Sequence, residues 1–406
     1  MIGDRYFKEN ECNKLTNEIK DISYDDIRTL YYENLHDEKE CAQITLDNYN
    51  GINYYGTTGN NQMEFFKEVL YRDPKTTGFL MEYPHGIIIR QAERNHYYRG
   101  ENQRYEKSIS SLLRRLNTVP EGEKHIFEFI AYMRIGEFKK FLNSFKYVQN
   151  WDAKYGTVLV EAIAQHYGLD TYWLDITNNF NTALFFATCR YDVQKQQWMP
   201  LIKSDTEKNE DTKYGYIFHI PAFQQQMNTM LACANHSDNG NSLINDILPI
   251  GFQPFERCYM QHGYGIYMDK ENPLQNDISF EKLRFRHSEK LSKDIYNLME
   301  KGSKIYPHEE FNVFDDIINI IKNTSTFSHE AFEYAKNKLG CFDDISDLYK
   351  SLKDTLSPFI DGNIKICETS PYSLSRQRRR NFDRAFENFS IEEKYKIKIL
   401  SRFTYK

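Results

Sequence analysis

The sequence predicts an α+β fold, a core of sheet and helices followed by an all-helical C-terminal region, and three observations carry that prediction. Short β-branched and aromatic runs at residues 86–89, 96–100, 172–177 and 215–220 have the length and composition of strands. Between them, apolar residues recur at helical spacing. From about Ser288 only helical patterns with caps and stops remain. We divide the 406 residues into an N-terminal extension with short helices and strands (1–79), a core segment (80–287) and a helical C-terminal region (288–406).

A net charge of -6 is small for this length, so nothing in the global charge points to nucleic acid or an acidic membrane surface as the main partner, which leaves room for local basic patches. The seven cysteines are scattered and form no CxxC pair or zinc knuckle, so no metal site is predicted. With no leader at Met1 and no long apolar run, the chain is expected to be cytoplasmic, reduced and free of membrane spans.

Taken in order, Tyr24-Asp25-Asp26 opens a helical segment with Ile27, Leu30 and Tyr31 on one face, and residues 42–55 turn to short strands. Gly56 to Asn61 is a turn-rich loop that lacks the Lys of a phosphate loop. Residues 86–89 and 96–100 are expected as strands of one sheet. The second ends in Tyr98-Arg99-Gly100, a guanidinium beside bare backbone that suits a phosphate or carboxylate; the alternative is a surface ion pair. Residues 108–116 and 122–145 follow as core-building helices, the first with Arg114 and Arg115 polar, the second with Arg134, Lys139, Lys140 and Lys146 on a solvated face.

The clearest local chemistry runs from Gly156 to Asp192. Val158, Leu159, Ala162, Ile163 and His166 share a helical face that Gly168 terminates. Residues 172–177 form a strand whose period of two puts Trp173, Asp175 and Thr177 together, and Asn178 or Asn179 caps the next helix. An acid and a hydroxyl on one strand face at a helix mouth make a polar pocket floor; alternatively, Asp175 holds backbone amides or a core arginine. Residues 194–214 are a charged hairpin or loop. Arg257 to Gln261 and Tyr264 to Met268 are expected as strand pieces at a sheet edge, with Gln261 and His262 at the turn. Past Ser288, helices end at Gly302, at Gly340 and before Pro358, and Ser390 to Glu393 is a capping box. Arg376 to Arg380 is the one dense basic run, a solvated surface or a minor nucleic-acid contact.

Five pieces in this order, YRG (98–100), AQHYGL (164–169), LDIT (174–177), ALFFA (183–187) and MQHGYGIY (260–267), resemble the FRG domain family over residues 80–270. The chain departs from the family pattern with Tyr98 for Phe, Asp170 for Pro, Tyr172 for Arg and Ile176 for Trp. Loss of the basic side chain at Tyr172 weakens any anion contact from that strand. The resemblance implies an ADP-ribosyltransferase-like split β-sheet core with NAD, as substrate, in the cleft. It also implies a place among bacterial and phage conflict, toxin or anti-phage defence effectors.

Carried over residue by residue, the family's three-part signature falls on Arg99, on Asp175 to Thr177 and on Gln261. Tyr98, Arg99, Gly100, His166, Trp173, Thr177 and Tyr264 are the implied nucleotide-binding residues, and Asp175, Gln261 and Glu256 the implied catalytic ones. Cleaving the nicotinamide–ribose bond leaves a ribosyl cation, which needs a nearby negative group. Gln261 carries no charge, so Asp175 or Glu256 has to supply it. The acceptor, protein or nucleic acid, is not named by the sequence. The alternative is a non-catalytic module that binds a nucleotide-like ligand or a phage component. Without a GxGxxG motif, a hydride-transfer Rossmann enzyme is disfavoured.

Overall fold

The computed structural model describes residues 18–32, 78–83, 86–91, 97–155, 158–192, 195, 197–220, 247–250, 253–268, 272–277, 280–306, 311–353, 363–388 and 400–401. The expectations for residues 42–55, 56–61, 156 and 390–393 lie outside these. Strands are β1 (Ile19–Asp21), β2 (Gly78–Tyr83), β3 (Gly86–Gln91), β4 (Tyr97–Glu101), β5 (Trp173–Thr177), β6 (Cys189–Asp192), β7 (Gln197–Pro200), β8 (Tyr214–Ile220), β9 (Ile247–Pro249), β10 (Gly263–Tyr267), β11 (Glu281–Arg286), β12 (Thr326–Ser328), β13 (Lys365–Cys367) and β14 (Leu400–Ser401). Helices are α1 (24–32), α2 (Ser111–Leu116), α3 (Lys124–Asn143), α4 (Lys146–Tyr155), α5 (Val160–His166), α6 (Phe180–Thr188), α7 (Lys203–Thr206), α8 (Glu256–Met260), α9 (Glu289–Leu298), α10 (Asp315–Asn323), α11 (His329–Leu339), α12 (Ile345–Lys353) and α13 (Arg376–Ala385).

The main sheet has seven strands in the order β1-β11-β8-β4-β5-β10-β9, antiparallel except for β1 beside β11. Mixed strand directions with helices on both faces make this an α+β fold. One face is covered by a core of Phe129, Met133, Phe138, Phe141, Ile163 and Leu174, the other by Ile27, Leu30, Phe180, Leu184, Ile217 and Leu283. α3 is buried nearly all round, Glu137 included. Gly136 is where α11 crosses it, since a Cβ there would lie 2.9 Å from the Ala331 Cα. The first core cluster runs on without a break into Phe314, Ile317, Phe327, Ala331 and Phe382.

The helical caps follow from local sequence. Asn179 opens α6 by accepting from the Thr182 amide, Ser288 opens α9 in the same way from Leu291, and Gly168 and Gly340 turn left-handed (φ 80° and 64°) after α5 and α11.

Several expectations are corrected. The C-terminal region is not all-helical: β12 and β13 pair in parallel within it, and β14 pairs with β3. β3 does not share a sheet with β4; it pairs along its length with β2, and with β14, in a separate three-stranded sheet, while β4 pairs with β8 over five positions. Residues 256–260 are helical, because Phe255, Glu256, Arg257 and Cys258 are all buried and no two-sided alternation exists to pair as a strand. Gln261 and His262 do form a turn, His262 with φ 48°, but β10 sits between β5 and β9, away from a sheet edge. The charged excursion holds a hairpin that starts earlier, at Cys189. Arg134 is not a solvated residue: its guanidinium donates to the Thr324 carbonyl.

Candidate functional site

β4 and β5 are joined at one position, Tyr98 opposite Thr177, although each is fully paired on its other side. The sheet is therefore nearly split in two at its middle. Arg99 reaches over the split: Nη1 donates to the Asp175 carbonyl at 2.6 Å and Nε to the Glu101 carboxylate at 2.8 Å. Glu101, 4% exposed, also accepts from the Ser108 hydroxyl. A cavity of about 470 Å³ opens here, within the range of small-ligand sites.

Of the residues implied by the sequence, Tyr98, Arg99, Gly100, His166, Asp175, Thr177 and Gln261 line this one cavity. Gly100 is fixed by close approach, because a Cβ would fall 1.7 Å from the Ala183 carbonyl oxygen of α6. Thr177 is spent on structure, its hydroxyl donating to the Gln261 carbonyl and accepting from the Asn179 amide. Gln261 donates its side-chain amide to the Ile305 carbonyl at 3.1 Å. Tyr98 is held by stacking on His219, ring centroids 5.0 Å apart, and by the edge of Phe180.

Three implied residues are not at this cavity. Tyr264 is fully buried with its ring against Tyr97, because its place on β10 points it into the core. Trp173 lies over Gly265 and lines a second cavity of about 760 Å³ with Tyr132, Tyr172, Tyr267 and Tyr334. Glu256 is buried in the first turn of α8.

Other lining residues complete the cavity. Arg114 on α2 and Arg190 on β6, outside the quoted motifs, add two guanidinium groups; Phe186 of the ALFFA piece joins Tyr105, Tyr191 and Trp198 as aromatic wall. Arg190 pairs with Asp205. Arg114 makes no side-chain hydrogen bond or ion pair to a described residue, and partial burial together with the like charge of Arg99 lowers its pKa. It is placed there by α2, whose Leu112 amide donates to the Thr171 carbonyl just ahead of β5. Burial, then the neighbouring Tyr306, pushes the Tyr191 phenol up to about 12, so it stays a neutral donor. Arg190 and Tyr191 follow directly on the second helix of the central stretch, which is the signal that could have found them. Arg114 carries no such signal.

At the floor, Asp175 is one-third exposed, and its Oδ1 lies 3.8 Å from Nε2 of His166, whose side chain is 3% exposed. Neither atom has a hydrogen-bond partner among the described residues. Burial is the main cause that lowers the His166 pKa, so the imidazole is neutral at pH 7. Chemically, the cleft offers cationic donors for an anion, flat aromatic walls and two acids, Asp175 and the Arg99-paired Glu101.

Residues 94–196 match the FRG domain family. The FRG match takes in Arg99, Gly100, Arg114, His166, Asp175, Thr177 and the β6 side of the cavity; Gln261 lies beyond it. No curated protein and no solved structure matches the chain. No described helix is long and apolar enough to cross a membrane.

Proposed function

We propose that the FRG cleft binds NAD and breaks its nicotinamide–ribose bond, as an ADP-ribosyltransferase or NAD glycohydrolase acting as a conflict or anti-phage defence effector. The observation that carries this is the gathering of Arg99, Arg114, Arg190 and Asp175 on one cavity at the split in the sheet. Arginines suit a pyrophosphate, which a planar fork of donors grips bidentately. Tyr191 and Trp198 offer flat walls for a ring. When the C–N bond breaks, its electron pair leaves with nicotinamide, and the ribosyl cation forms beside the Asp175 carboxylate. The acceptor's hydroxyl, carboxylate or ring nitrogen, or water, then attacks the cation, and any proton on the attacking atom is lost. Arg114 takes the leading part in gripping phosphate, since the Arg99 guanidinium already serves Glu101 and the Asp175 carbonyl.

A second outcome, binding without turnover, is favoured by one observation: Gln261 is uncharged and its amide is already given to Ile305. Nicotinamide release from NAD by purified protein, with protein and nucleic-acid acceptors supplied, separates the two. Release that Asp175→Asn lowers by about 10²-fold or more supports the enzyme. NAD binding with no release supports the binding module, and neither binding nor release overturns both.

A further inference from the structure

His166 and Asp175 turn two unsatisfied polar atoms toward each other in the cleft. Nε2 of the imidazole and Oδ1 of the carboxylate are both buried, both lack a hydrogen-bond partner among the described residues, and face each other across 3.8 Å. An unmet buried donor or acceptor is costly, so two such atoms side by side are stable only if each answers the other. A shift of about 1 Å brings them to charge-assisted hydrogen-bond distance, and Asp175, one-third exposed, has room to make it.

The surroundings fix the imidazole. It stands at the last residue of α5, and the Arg257 guanidinium donates to the His166 carbonyl at 2.5 Å, held between the rings of Tyr306 and Tyr167. Gln261 lies within hydrogen-bonding reach of the same ring. Opposite it stands Gly263, where a Cβ would come 3.6 Å from Nε2 and 2.9 Å from the Cys258 carbonyl oxygen. Nε2 thus faces the Asp175 carboxylate, and Gln261 is the other polar side chain within reach of the ring.

We propose that His166 is the positioning residue for Asp175: its Nε2–H donates to Oδ1 and turns Oδ2 to the cavity, where the ribosyl cation forms. The hydrogen bond holds the acid in one rotamer, and a neutral imidazole leaves its negative charge in place. In its catalytic consequence this rests on the NAD reading above; the pair itself does not.

Two measurements test it. NMR of the ¹⁵N-histidine-labelled protein at pH 7 is expected to show His166 as the neutral Nε2–H tautomer, with that signal displaced in Asp175→Asn. In turnover, His166→Gln, whose amide N–H reaches toward the place of Nε2–H, is expected to stay within about tenfold of wild type, and His166→Leu to fall by about a hundredfold. An Nδ1–H tautomer, a signal indifferent to Asp175→Asn, or equal losses in the two variants overturns the proposal. If wild type turns nothing over, the NAD reading fails, and the NMR result alone decides the pair.

Discussion

At Arg114 a guanidinium feels the like charge of Arg99 and makes no ion pair among the described residues, with Glu101 and Asp170 only partly offsetting the repulsion, and a bound anion would relieve it further. Arg114→Ala should therefore weaken NAD binding by about 10- to 100-fold, the worth of one charge-assisted hydrogen bond, with little change in melting temperature; calorimetric titration and a melting curve check both halves. Arg99→Ala should behave otherwise. It strips the buried Glu101 of its cation and removes a side-chain bridge across the sheet split, so stability falls by about 1–3 kcal/mol as well, read as a shift in the urea midpoint. Asp175 was legible in the sequence because an acid in an apolar strand is conspicuous. Arg114 was not, since an arginine on the polar side of a short helix is ordinarily solvated, and only the docking of α2 ahead of β5 brings it to the cleft.

Among elements, α6 packs tightly against β4 at Gly100. Substituting Gly100→Ala pushes a methyl carbon into the Ala183 carbonyl, and either strand or helix has to move. The expected loss is about 2–4 kcal/mol, visible as a lowered denaturation midpoint, with a cleft that no longer holds ligand. α3, α5, β5 and α6 were readable from periodicity and caps, because their patterns are local. α8 was not: Arg257 and Glu256 are buried by tertiary contacts, so polarity misreports which side of the segment faces inward. The separate pairing of β3 with β2 was hidden for another reason, since a strand's apolar run does not name its neighbour.

For the whole molecule, the core that begins with Phe129 and Phe141 is completed by Phe314, Ile317, Phe327, Ala331 and Phe382, residues the sequence divides into different segments. A chain ending at residue 287 is predicted to lose cooperative unfolding or solubility, where an independent 80–287 unit would keep both. Stability should also depend on pH. Burial lowers the pKa of His166 and of His287, the first with Asp175 opposing and Arg257 assisting that shift. The unfolded chain then binds protons that the folded one does not, so stability is full above the ordinary histidine value of 6.5 and declines as pH falls below it. Urea midpoints from pH 7.5 to 5.5 check this, and His166→Gln should flatten the slope. The central claim is that the split in the sheet holds NAD. Calorimetric titration of the purified chain with NAD tests it most directly: one saturable site, weakened in Arg114→Ala, is the predicted result, and no heat and no shift in melting temperature at millimolar NAD would contradict it.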